Sequence, residues 1–482
     1  MNVLSVASEI FPLIKTGGLA DVTGSLPKAL ERFGVSTRTL VPGYPDVMAH
    51  AIDAETLFHF DDLFAERGRL LRFTCDGHDL LVLDLPGLYD RPGGPYADAS
   101  GRDHADNWKR FQVLSFVGAQ IAGGLLADWR PDAVHVHDWQ SALTPLYMRH
   151  AGIEMPSILT VHNLAFQGQF PSSLWPYLGL PPETYSVACL EYHGDISFLK
   201  AGLTSASAIT TVSPTYAREI VSIEGGMGLG GVLAERLAEL HGIVNGIDAD
   251  VWNPSLDPHL VRRYHQQSTG LRSYNRARLL QEFALQDVAG PVFAVVSRLT
   301  WQKGADMLPD AVGDIIAGSG NLIVLGKGDR GIEEALLAAA RLHPGRVGIR
   351  IGYDEATAHM IHGGADVIIQ PSRFEPCGLT QLYALRYGCV PLVARTGGLS
   401  ETIIDANDAA VSARVATGFQ FHPITSANLR QTIRRVSAAF QDPKTWSRIQ
   451  TRGMKADFSW DRSAGQYYAL YQALLTARAN AA

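Results

Sequence analysis

Short, β-branched apolar runs alternate with longer stretches rich in Ala and Leu from one end of the chain to the other. The runs at residues 3–7, 37–41, 80–83, 133–137, 157–162 and 209–212 are predicted strands, as are those at 292–297, 322–326, 348–351, 367–370 and 391–394. Strands interleaved with helices build parallel sheets covered on both faces, so the pattern predicts an α/β architecture. Between the two sets lies VNGIDADVWNPSLDP (244–258), whose Asn, Gly, Asp and Pro suit a connector. It separates a doubly wound domain over 1–243 from a second over 244–456. The closing segment, 457–482, has Ser459 as a cap and apolar residues at helical spacing, which predicts a terminal helix.

Composition narrows the function classes. A chain of 482 residues with 46% hydrophobic and 18% charged residues has ample material for two buried cores. Its formal charge of −7 argues against a nucleic-acid partner, which would require a basic stripe. The four cysteines, Cys75, Cys189, Cys377 and Cys389, offer neither a disulfide framework nor a C-x-x-C pair. The N-terminus lacks a basic start and carries Glu9 inside its apolar run, and no run reaches the ~18 apolar residues that span a bilayer. The expectation is a cytoplasmic protein with no membrane partner.

Strand after strand ends in a polar or glycine-rich loop, and in open parallel sheets ligands bind beyond the carboxyl ends of the strands. KTGGLAD places Lys15, Gly17, Gly18 and Asp21 after the first strand, where backbone N–H groups and a helix N-terminus suit an anion. The alternative is a turn whose glycines serve only to reach positive φ. SRLTWQKG supplies Arg298 and Lys303, a guanidinium and an ammonium suited to a diphosphate; a solvated surface pair is the alternative. HVHDWQ and TVHNLAFQGQ end buried strands in histidine, with His162 the candidate at the ligand face and a satisfied structural histidine the alternative, and only one of His135 and His137 expected to reach that face. No further ligands at local spacing support zinc. The G-x-G-x-x-G at Gly226, Gly228 and Gly231 follows a helix capped by Ser213 where a dinucleotide site needs a strand, which argues against NAD. In FEPCGLT, Glu375 precedes Gly378, Leu379 and Thr380, taken as the first turn of a helix whose free N–H groups suit an anion; a purely structural capping role for Glu375 is the alternative.

Taken jointly, K-T-G-G-L-A-D from Lys15, H-N-x-A-x-Q-G from His162, N-G-I-D from Asn245, S-R-L-x-x-Q-K-G from Ser297 and P-S-R-F-E-P-C-G-L-T-Q from Pro371 closely resemble bacterial glycogen synthases, relatives of the plant starch synthases. The resemblance runs from Met1 to the C-terminal helix. It implies a GT-B fold: two Rossmann-like doubly wound parallel-sheet domains facing a deep cleft, with the last helix crossing back onto the first domain. It implies a retaining glycosyltransferase that moves glucose from ADP-glucose to the non-reducing end of an α-1,4-glucan such as glycogen, with no cofactor and no metal. Carried over, it assigns Lys15, the Gly18 amide and Asp21 to the donor, and Arg298, Lys303 and the amides of Leu379 and Thr380 to the diphosphate. Tyr353 would lie by the adenine; His162, Asn163, Asn245, Glu375, Cys377 and Gly378 would surround the glucose, with Asp138 on the same wall. The wider class of retaining GT-B enzymes often carries a second glutamate eight positions after the first, where this chain has Tyr383.

Overall fold

The chain divides into two units in the computed structural model, which describes residues 1–481. The first holds Met1–Gly246 and the C-terminal stretch from Trp460; the second is Ile247–Ser459.

The first unit is built on a nine-stranded sheet. Its spatial order is Leu240–Gly242, Ala208–Thr211, Ser157–Val161, Ala133–His137, Asn2–Val6, Ser36–Pro42, His78–Asp84, Glu66–Cys75 and Glu55–Leu63. The first seven are parallel and the last two join as antiparallel edge strands. That edge hairpin is absent from the predicted strands because Glu55–Leu63 is exposed on both faces and so has no apolar period to read. From Asn2–Val6 the chain winds outward through Ser36–Pro42 in one direction. It later returns beside Asn2–Val6 with Ala133–His137 and winds the other way. The carboxyl ends of Asn2–Val6 and Ala133–His137 therefore flank the switch point, where a crevice opens in such sheets.

The helix Trp460–Ala481 packs on this unit. Trp460, Ala464, Tyr467 and Tyr471 lie at helical spacing and are buried with Val3, Val22, Leu26, Leu30 and Ile158. Gly246 explains itself here: a Cβ would stand 2.6 Å from the Trp460 backbone N and Cα, so only glycine permits the approach.

The second unit holds a six-stranded parallel sheet in the order Val347–Ile351, Asn321–Gly326, Val292–Val296, Val367–Gln370, Val390–Ala394 and Phe419–Phe421. Side chains alternate between two cores. Phe293, Val295, Leu322, Val324 and Ile369 face one side, and Val292, Ala294, Ile323, Leu325 and Ile368 the other. Both faces are covered, which is why these strands read as unbroken apolar runs. The winding reverses between Val292–Val296 and Val367–Gln370, so the loops 297–304 and 371–379 leave this unit's switch point side by side.

Candidate functional site

In the second unit, Glu375 is only 5% exposed. Its charge is met by the Lys303 ammonium, which donates to Oε1 at 2.8 Å and Oε2 at 2.6 Å, and by the Ser372 hydroxyl, which donates to Oε2 at 2.9 Å. Gly304 makes this meeting possible. Its φ is +67°, and a Cβ there would fall 2.1 Å from the Pro371 carbonyl oxygen, so the two loops could not touch with any other residue. Arg373 fastens them further: its amide donates to the Gln302 carbonyl at 2.8 Å, and its guanidinium forms a two-pronged pair with Asp306 at 2.7 Å and stacks 4.5 Å over the Trp301 ring.

A third loop supports the acid from behind. Gly398 N–H donates to the Glu375 carbonyl at 3.1 Å, and a Cβ on Gly397 would come within 2.0 Å of that same carbonyl oxygen. This loop, A-R-T-G-G at 394–398, follows the strand Val390–Ala394, and nothing in its sequence alone marks it as a support for Glu375. Ser372, Arg373 and Gln381 fall within the P-S-R-F-E-P-C-G-L-T-Q stretch, but the sequence assigns them no role; Gln381 donates to the Cys377 and Gly378 carbonyls at 3.1 and 2.8 Å and stiffens the turn.

The helix starts later than expected. Gly378 has φ +76° and lies outside it, Leu379 is the cap residue, and the helix proper is Thr380–Tyr387. A left-handed residue cannot continue a right-handed turn, which places Gly378 in the preceding loop. No side chain caps this end, and among the described residues no carbonyl accepts from the amides of Leu379 and Thr380. Arg298, at the carboxyl end of Val292–Val296, is exposed and its guanidinium has no partner among the described residues. Cys377 is buried beside Glu375. Tyr353 stands apart, 62% exposed after the edge strand Val347–Ile351.

In the first unit, the Lys15 ammonium donates to Asp21 at 2.7 Å. Gly17 has an extended φ of −160° and Gly18 opens the helix Gly18–Leu30, so positive φ is not what this glycine pair provides. Open space surrounds the missing Cβ of Gly17, which leaves the helix start approachable. The loop is held by Glu9, buried at 2% exposure, which accepts from the Thr16 amide, from the Thr16 hydroxyl at 2.6 Å and from the Tyr96 hydroxyl. In the sequence Glu9 registered only as an interruption of an apolar run; that interruption was the available signal.

Asp138 follows Ala133–His137 with φ +53°, and its Oδ1 accepts from the amides of His162 and Asn163 at 2.7 and 3.4 Å. Burial pushes its pKa up to about 7, against the pull of those two donors. The side-chain Oδ1 of Asn163 accepts from the Ala165 amide at 3.1 Å, closing an Asx turn. His135 and His137 are not split between faces. Residues two apart on a strand point the same way, and their rings lie 4.3 Å apart. His162 Nδ1 and Asn245 Oδ1 are both buried without a hydrogen-bond partner among the described residues. Such atoms are costly to desolvate and leave hydrogen-bonding capacity unused. The loop bearing Gly226, Gly228 and Gly231 lies against the His162 loop: Gln167 and Tyr192 both donate to the Met227 carbonyl, at 2.9 and 3.1 Å.

Two doubly wound parallel-sheet units, with cations, a carboxylate and uncapped helix starts at the strand ends, define a GT-B glycosyltransferase. Residues 2–235 match the family described as starch synthase catalytic domain, and residues 281–450 match glycosyl transferases group 1. A glycogen synthase 1 of Rhizobium meliloti (strain 1021) is 56% identical, with 98% of this chain and 99% of that one covered. A glycogen synthase of Rhizobium johnstonii is 55% identical, with 99% of each covered. Among solved structures, the catalytic domain of starch synthase IV from Arabidopsis thaliana, bound to ADP and acarbose, has a TM-score of 0.89 at 28% identity, covering 98% of this chain and 99% of that one. A sucrose-phosphate synthase from Thermosynechococcus elongatus shares the fold, with a TM-score of 0.60 at 16% identity and 99% of each chain covered. The chain belongs to the glycogen synthase family, which is allied to the starch synthases.

Proposed function

We propose that this glycosyltransferase moves glucose from ADP-glucose to the non-reducing end of an α-1,4-glucan, with retention at the anomeric carbon, in glycogen biosynthesis. The observation that carries the assignment of roles is the buried Glu375 carboxylate, gripped by Lys303 beside an uncapped helix start and an unpaired Arg298. Departure of ADP leaves negative charge on the diphosphate and positive charge on the sugar. Arg298 has all its donors free for the phosphates, and the Leu379 and Thr380 amides add a helix terminus. An ammonium has three protons; Lys303 spends two on Glu375 and keeps one for a phosphate oxygen. Such preorganised charge acts on the transition state and costs no reorganisation when the bond breaks.

Glu375 orients sugar hydroxyls and stabilises the developing positive charge. It is a poor nucleophile, because Lys303 and Ser372 occupy both its oxygens. With Tyr383 at the position of a second glutamate, the acceptor proton passes to a phosphate oxygen on the face from which the diphosphate leaves. His162, Asn163 and Asn245, with Cys377 and Gly378, contact the glucose, Asp138 orders the His162 loop, and Lys15, the Gly18 amide and Asp21 serve the donor. Tyr353 lies by the adenine. The test is to offer ADP-glucose or UDP-glucose with glycogen and measure nucleotide release and incorporated glucose. ADP release matched by incorporation is expected. Release without incorporation, or a preference for UDP-glucose, overturns the assignment.

A further inference from the structure

Three histidines form a column in the first unit. The ring of His137 lies 4.3 Å from His135 and 5.3 Å from His162. His135 is tied off at both nitrogens, by the Tyr471 hydroxyl at 2.8 Å and the Thr160 hydroxyl at 2.6 Å. His137 Nδ1 lies 3.1 Å from His162 Nε2, while His137 Nε2 lies 3.4 Å from Ser5 Oγ on the adjacent strand. Burial keeps all three rings neutral at pH 7, with His135 and His162 lowered to about 3 and His137 well below its ordinary value.

A neutral imidazole has one N–H and one lone pair. If His137 Nδ1–H donates to His162 Nε2, then Ser5 donates to His137 Nε2, and His162 must carry its proton on Nδ1. If His162 Nε2–H donates instead, His137 carries its proton on Nε2 and gives it to Ser5 Oγ, and His162 Nδ1 is left as an acceptor. Both rings therefore hold the same tautomer, and the buried, unpartnered Nδ1 of His162 is the end at which the choice is expressed. We propose that His137 is a positioning residue that, anchored by Ser5, orients His162 and sets whether its Nδ1 donates to or accepts from a sugar hydroxyl. This rests on reading His162 as a glucose contact.

The test combines kinetics with ¹⁵N NMR of the histidine rings in the full-length enzyme. His137→Leu should lower kcat about 10- to 100-fold, the scale on which losing the partner that orients a metal-bound histidine acts. His137→Asn, whose amide places a donor and an acceptor near Nδ1, should restore most of it. His137→Leu added to His162→Ala should cause no further loss, because His137 acts only through His162. Additive losses, or no loss in His137→Leu, overturn the proposal. NMR should find His137 and His162 in one shared tautomer, with His162 becoming a mixture in His137→Leu. Opposite tautomers, or an unchanged His162 signal in the variant, overturn it whatever the kinetics. Wild-type turnover in His162→Ala would instead refute the glucose-contact reading, and the NMR result would still decide the coupling.

Discussion

Removing Lys303 should damage stability and turnover by separable routes. The ammonium is 18% exposed in its side chain and Glu375 7%, and they meet at 2.6 Å. Breaking a buried pair by deleting one partner costs about 3–5 kcal/mol, because the remaining charge keeps its desolvation penalty. Lys303→Ala should fall at the low end of that range, since Ser372 still donates to Glu375. Its kcat should drop about 10²- to 10³-fold through loss of one preorganised cation. Adding Glu375→Gln removes the stranded charge, so the double variant should recover most of the stability and none of the turnover. Urea unfolding followed by circular dichroism gives the first quantity and labelled-glucose incorporation the second. A Lys303→Ala enzyme with an unchanged urea midpoint and near-normal turnover would refute both halves of the reasoning. A double variant as unstable as the single would refute the charge argument alone.

Three further outcomes follow from the same geometry. Glu375→Gln alone should slow glucose transfer, and the unsubstituted enzyme should accumulate no covalent glucosyl-enzyme during turnover; an adduct mapped to Glu375 by mass spectrometry would reverse its assigned role. Gly304→Ala should clash with the Pro371 carbonyl and displace Lys303, costing about 1–3 kcal/mol for overpacking and on the order of 10²-fold in kcat for the misplacement, whereas wild-type kinetics would show that this approach is dispensable. His78 has both ring nitrogens buried without a partner, and burial, with Lys28 nearby, lowers its pKa to about 4. Between pH 6.5 and 4 the unfolded chain therefore binds a proton that the folded chain refuses, and stability falls as pH falls through that window. His78→Leu should move acid unfolding to lower pH, and a midpoint that stays put would count against this account.

Much of the candidate site was legible because the residues proposed to bear chemistry fall at strand ends, and strand ends are marked by local changes in polarity. Arg298, Lys303 and Glu375 could be named from such loops. What Lys303 touches could not, since its partner lies 72 positions away. The start of the helix at Thr380 was misjudged for a local reason: glycine is compatible both with a first helical turn and with the left-handed loop residue that Gly378 turns out to be. Glu9 was passed over because a lone acid in an apolar run gives no indication that three donors converge on it.

The alternating apolar pattern depends only on neighbours along the chain, so the sequence alone specifies parallel sheets, strand ends and the residue types gathered there. Which strand end lies beside which depends on the crossovers. Val292–Val296 borders Val367–Gln370 because two intervening strands wind to its other side, and this brings Lys303 to Glu375. The same holds for Tyr471, which reaches His135 across 336 positions only because the last helix packs on the first unit. Hydrophobic burial is indifferent to sequence separation, so it creates contacts that no local pattern announces.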